Sequence, residues 1–120
     1  MMDKVFYNKN GKPVVYVIGE DIYSFDGVPL AYLNEGSFIY SYSGKHLGWF
    51  DNGWIIDLKG TYVFFSDGAS GGPIQPLKQI LPVRNVRGIK PIKSIREMRN
   101  LKPVKTNTWS SFCDLDFFKQ

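Results

Sequence analysis

Arg84, Arg87, Lys90, Lys93, Arg96, Arg99, Lys102 and Lys105 stand three residues apart without a break. In an extended chain rising ~3.1 Å per residue, that spacing puts a cation roughly every 9 Å along one edge. Such a row can follow the phosphates of a nucleic acid or another polyanion, so these eight are the candidate polyanion-binding residues. The acidic counterpart lies upstream, where Glu20, Asp21, Glu35, Asp51 and Asp67 fall on turn-like segments. Oxygen ligands suit calcium, but no spaced calcium loop is present and no metal is expected. Other reactive groups are scarce. Cys113 is the single cysteine, which excludes an internal disulfide and a cysteine-based zinc site. His46 is the single histidine. It flanks a turn, has no base or nucleophile beside it in the sequence, and reads as a surface group. No catalytic residue, no cofactor and no enzymatic activity are expected.

The cations belong to a larger rhythm. Apolar residues recur at Ile74, Leu77, Ile80, Val83, Val86, Ile89, Ile92, Ile95, Met98, Leu101 and Val104, and the following residue is basic in nine of these eleven triplets. The third position of the triplet holds Pro76, Pro82, Pro91 and Pro103. A period of three fits neither an α-helix nor a strand, and a long 3₁₀ helix would need the N–H groups that these prolines lack. Polyproline II has the period and accepts proline. The segment is therefore expected to be an extended rod with one apolar and one basic edge. Its 33 residues would reach on the order of 100 Å if straight, so it must bend around the rest of the chain or project from it. The apolar edge is expected to lie in grooves of the body, since that much apolar surface is costly to leave wet. The basic edge is then partly solvated and partly paired with the acidic turns. Charge is segregated accordingly: residues 1–70 carry five Lys/Arg against eight Asp/Glu, and residues 71–108 carry nine against Glu97 alone.

The body that precedes the rod is repetitive. Glycines fall at 11, 19, 27, 36, 44, 53, 60 and 68, and every second one closes an aromatic-polar-x-x-Gly pattern, with Ile in the aromatic place of the fourth: Tyr7 to Gly11, Tyr23 to Gly27, Tyr40 to Gly44 and Ile56 to Gly60. Asn10-Gly11 and Asp26-Gly27 favour two-residue type I′ hairpin turns. That register sets Tyr7 opposite Val14, Tyr23 opposite Leu30, Tyr40 opposite Leu47 and Ile56 opposite Val63. On the reverse face it pairs Phe6 with Val15, Ile22 with Ala31, Ile39 with Gly48 and Ile55 with Phe64. Both faces are apolar near the strand centres, which no isolated hairpin can bury. Four hairpins around a shared axis can. At the tail, Ser110 or Ser111 can cap a short helix that carries Phe112, Leu115, Phe117 and Phe118 to close the open end of the core or seal a symmetric contact.

The four hairpins, above all His46-Leu47-Gly48-Trp49-Phe50 and Gly53-Trp54-Ile55, together with Gly68-Ala69-Ser70-Gly71-Gly72-Pro73 and Trp109-Ser110-Ser111, resemble the bacterial 4-fold beta flower domain. The resemblance implies a compact all-β arrangement and no activity, cofactor or catalytic residue. The expected architecture is all-β: four β-hairpins around a pseudo-four-fold axis (residues 1–72), a polyproline-II-like arm wrapping that core within the same domain (73–107) and an aromatic tail (108–120). The expected function is a non-catalytic interaction or scaffold module, with polyanion binding through the basic arm as the alternative. Partners are then a protein or a second copy, or a nucleic acid or similar polyanion. No apolar run approaches the ~20 residues of a membrane span, and no apolar leader opens the chain, so a cytoplasmic location without membrane contact is expected.

Overall fold

A computed structural model describes residues 2–120. Among these residues eight strands follow one another: β1 (Asp3–Tyr7), β2 (Pro13–Ile18), β3 (Asp21–Ser24), β4 (Pro29–Asn34), β5 (Phe38–Ser41), β6 (His46–Asp51), β7 (Trp54–Asp57) and β8 (Tyr62–Phe65). Each pairs antiparallel with the next, and Tyr7 opposite Phe65 joins β1 to β8, so the sheet closes into a barrel. Closure leaves no sheet edge for another chain to extend.

The central pairs are those expected from the sequence: Phe6 with Val15, Ile22 with Ala31, Ile39 with Gly48, and Ile55 with Phe64. The pairs next to the turns are not. Tyr7 faces Pro13, Tyr23 faces Pro29, Tyr40 faces His46 and Ile56 faces Tyr62, with a bulge in every hairpin. The turn is one residue longer than a two-residue type I′ turn. In each hairpin the glycine N–H donates to the carbonyl three residues back, as from Gly11 to Asn8 and from Gly44 to Ser41. Only the glycine has positive φ, +78° at Gly11 and +96° at Gly44, which is a type I turn closed by a glycine bulge.

The residue three before each glycine decides this geometry. Asn8 Oδ1 accepts from the N–H groups of Asn10 and Lys12, and Asp57 Oδ1 from those of Lys59 and Thr61. Ser24 Oγ and Ser41 Oγ each accept from the N–H four residues on. These side chains hold the turn open for the third residue. A type I′ turn occurs instead at Asn52-Gly53, where both residues have positive φ, 50° and 84°, between the paired Asp51 and Trp54.

One extra residue inverts the facing of everything between bulge and turn. Val14, Leu47 and Val63 therefore point into the barrel beside Phe6, Val15, Ile22, Ala31, Ile39, Ile55 and Phe64, with Leu30 packed against them. Tyr7, Tyr23, Tyr40 and Ile56 remain outside, in separate clusters. The tail supplies the plug. Its 3₁₀ helix, Leu115–Lys119, is capped by Asp114 rather than Ser110 or Ser111 and puts Phe117 and Phe118 into the barrel core. Gly48 lies where a Cβ would meet the Ile56 carbonyl oxygen at 2.1 Å and the Phe117 ring at 3.2 Å. Ser110 is occupied elsewhere, donating to Asp57 Oδ2.

Candidate functional site

Residues 74–106 contain neither helix nor strand, yet their N–H groups are placed with a strict period. Gln79 donates to the Gly11 carbonyl, Gly88 to Gly27, Glu97 to Gly44 and Thr106 to Gly60. The step is nine residues along the arm for each hairpin of the barrel. The glycines are needed for the approach: a Cβ on Gly11, Gly27 or Gly44 would lie about 2 Å from the carbonyl oxygen of Leu77, Val86 or Ile95. The circuit returns to its origin. Gly72 packs on Trp54 and Tyr62, and Trp109 reaches the same place, bridging Tyr62 and stacking edge-on against Trp54.

The nine-residue unit accounts for the prolines. The unit's sixth position, which serves the turn glycine, is never proline. Its third position (Pro76, Asn85, Ser94, Pro103) and ninth (Pro82, Pro91, Asn100, Trp109) include every one. Where the third is not proline, Asn85 and Ser94 donate to Phe25 and Tyr42.

The arm lies with its basic edge inward, opposite to the expectation that its apolar edge fills grooves of the barrel. Arg84 covers the Tyr16 ring at 4.0 Å and reaches Asp3 at 3.2 Å. Arg99 covers Phe38 at 3.8 Å and meets Glu35. Lys90 pairs with Asp21 at 2.9 Å, and Lys102 and Lys105 both pair with Asp51, at 2.7 and 3.1 Å. Arg87, Lys93 and Arg96 lie over the faces of Tyr23, Tyr32 and Tyr40 and meet no carboxylate among the described residues. Lys78, outside the candidate set, follows the same pattern over Tyr7 with Asp67.

The outer barrel wall explains the orientation. It is tiled with aromatic rings and rimmed by carboxylates, so cations with long apolar stems fit it better than branched aliphatics do. Burial alone would raise the Asp51 carboxyl, but hydrogen bonds from Lys102 and Lys105 outweigh it and hold the group below its ordinary range. With the basic edge inward, all eleven apolar residues of the ladder are 85–96% exposed.

His46 is fully buried rather than a surface group. Its Nε2–H donates to the Gly48 carbonyl at 2.9 Å, and its Nδ1 accepts from the Asn100 N–H at 3.1 Å. A backbone N–H can only donate, which fixes the neutral tautomer. Burial pushes its pKa down, and the Gly48 carbonyl and nearby Glu97 offset this only in part. The Glu97 carboxylate meanwhile accepts from the His46 backbone N–H at 2.8 Å. Both ring nitrogens are occupied, so His46 has no atom free for a substrate. Sequence reasoning missed this contact, although one signal marked it: Asn100 and His46 stand where the first two hairpins have proline, at Pro82 and Pro91 and at Pro13 and Pro29. Beside it lies an open cleft of about 580 Å³ bounded by Tyr40, Lys93, Arg96, Glu97 and Arg99.

Among the described residues no cluster of His, Cys, Asp and Glu could hold a metal ion, and no helix is long and apolar enough to cross a membrane. Neither a curated protein nor a solved structure matches the chain. Residues 4–118 match the profile of the 4-fold beta flower protein family, in agreement with four equivalent hairpins closed into one barrel. The chain belongs to the 4-fold beta flower family.

Proposed function

We propose that the chain is a non-catalytic interaction module whose working surface is the apolar edge of the arm. The observation that carries this reading is the exposure of all eleven apolar residues at a regular period of three. At roughly 2–3 kcal/mol and ~25 cal/mol per Å² for each side chain, the edge offers on the order of 1,100 Å² of apolar surface. The largest patch on an ordinary monomer is about 300–600 Å². The period of three, the prolines and the donation of the arm's N–H groups to carbonyls of the barrel rather than of the arm support a polyproline-II conformation for the arm. Four units of nine residues would then extend roughly 110 Å, close to the ~115 Å circumference of a body 36–37 Å across.

The test is binding of an environment-sensitive apolar dye at high dilution. The wild type is expected to enhance its fluorescence, and a variant with Val86, Ile89, Ile92 and Ile95 changed to serine to lose most of that enhancement. Equal signals from both proteins would rule the reading out.

Polyanion binding is the second reading, supported by Arg87, Lys93 and Arg96, which meet no carboxylate among the described residues. Because five of the eight candidates hold carboxylates already, binding to labelled RNA, duplex DNA or heparin is expected to be weak and lost at moderate salt. Tight binding that disappears when Arg87, Lys93 and Arg96 become glutamine would favour this reading over the first.

A further inference from the structure

We propose that the cleft beside the third unit of the arm is a binding site for a small organic carboxylate, held between Lys93 and Arg96. The molecule's own repetition shows what this pair of cations takes. Strands β4 and β6 are equivalent, each six residues long, and each ends on a residue paired across a return turn: Asn34 opposite Phe38 and Asp51 opposite Trp54. The arm keeps the same step, for Lys93 and Arg96 stand nine residues before Lys102 and Lys105.

In the fourth quarter Lys102 and Lys105 close on the Asp51 carboxylate, at 2.7 and 3.1 Å. Burial would raise that carboxyl, and the two lysines hold it below its ordinary range. Two cations at these places therefore keep a carboxylate ionised. The second quarter reaches the same end by another route. Its strand closes on Ile18, and Arg84, nine residues before Lys93, takes Asp3, the residue paired with Ile18.

In the third quarter the cations remain and an amide, Asn34, stands where Asp51 stands in the fourth. Lys93 and Arg96 meet no carboxylate among the described residues. Glu35, the next residue along, meets Arg99 instead. The space between is open. Asn34, Lys93 and Arg96 all border the cleft of about 580 Å³, a size within the roughly 300–1,000 Å³ of small-molecule sites. Arg99, Glu35 and Glu97 border it too, and the Glu97 carboxylate is engaged by the His46 N–H at 2.8 Å. Three cations against two carboxylates leave one positive charge for a ligand to balance. A carboxylate brings the same group that Asp51 brings next door, and Tyr40, Ile95 and Met98 at the margin offer its carbon part an apolar contact. The site goes beyond both surfaces described above, since it occupies one quarter of the circuit and its ligand is not a polymer.

Titration of the full chain with phenylacetate at fixed ionic strength, followed by amide nuclear magnetic resonance, tests the proposal. Saturable shifts are expected at Ser94, Ile95 and Glu97, and none with phenylacetamide, which has nearly the same shape without the charge. Asn34→Asp supplies the carboxylate that the fourth quarter already has, and is expected to weaken binding by at least about tenfold, since like charges would meet. Arg96→Gln is expected to weaken it by a similar factor, with near-ultraviolet circular dichroism unchanged.

The absence of a saturable shift with phenylacetate overturns the proposal, as do equal shifts with phenylacetamide or undiminished binding in Asn34→Asp. Tighter binding of phenyl phosphate than of phenylacetate would overturn the assignment to a carboxylate. Heparin binding by a chain that ignores phenylacetate would sink the cleft and leave the polyanion reading standing. Phenylacetate binding by a chain that ignores heparin would do the reverse.

Discussion

Tyr16 and Tyr32 are almost wholly buried, and their hydroxyls find no partner among the described residues. Each ring packs against neighbouring rings, Tyr16 on Tyr23 and Phe25 and Tyr32 on Tyr40 and Tyr42, and lies under a cation, Arg84 at 4.0 Å and Lys93 at 4.2 Å. A buried hydroxyl without a partner costs stability, while removing it leaves the ring face intact. Tyr32→Phe is therefore expected to leave the urea midpoint unchanged or raise it. The control is Tyr40→Phe, which deletes the bond from Tyr40 to the Glu97 carbonyl at 3.1 Å and is expected to cost about 1 kcal/mol. His46 gives the molecule a pH dependence. Its folded pKa lies below the ordinary value of 6.5, so the unfolded chain binds the proton more readily than the folded one. The stability it contributes is complete above about pH 6.5 and is lost as pH falls from there through the depressed folded value. Protonation would set a new N–H against that of Asn100. Among the described residues the ring meets Asn100, the Gly48 carbonyl, Tyr40, Phe38 and Trp49, and Glu97 is the nearby acidic group. Thermal midpoints should fall as pH drops below about 6.5 in the wild type and change less in His46→Gln.

The arm's nine-residue unit makes a sharp prediction about proline. Glu97 and Thr106 each give their N–H to a turn glycine, so Thr106→Pro removes a bond that all four units share. It is expected to destabilise by about 2 kcal/mol or more in urea titrations, since a buried glycine carbonyl loses its donor. Ser94→Pro deletes only the bond to Tyr42, at a position that is already proline in two other units. Its expected cost is under about 1 kcal/mol, because stiffening the unfolded chain offsets part of the loss. The central strand pairs and the rhythm of the arm were legible in the sequence, because side-chain alternation and proline placement are local. The turns were not, because Asn10-Gly11 and Asp26-Gly27 carry the signature of a two-residue turn, while the choice lay with the polar side chain three residues before each glycine. Nor could the arm's periodicity say which edge docks. That depended on which face of the sheet closes inward: with Phe6, Ile22 and Ile39 inside the barrel, Tyr7, Tyr23 and Tyr40 stay outside and build an aromatic wall for cations to cover.

At the scale of the whole molecule, barrel and arm are expected to unfold as one cooperative unit. Tyr16, Tyr32 and Tyr40 are at most 1% exposed although they face away from the barrel core. A chain ending at Gly72 would bare this wall and lose the Phe117 and Phe118 plug at once. It is expected to lose its near-ultraviolet circular dichroism and to aggregate, whereas a truncation that spared the barrel would leave that signal intact. The pairing of one hairpin with one nine-residue unit also bears on how such a protein can change through time. A gene duplication that added a fifth hairpin would leave its aromatic patch bare and the circuit one quarter short, unless a second duplication, far downstream, added nine matching residues to the arm. An added unit without a hairpin would have no glycine to meet. Blade number is thus recorded twice in one gene, and neither record can be edited alone.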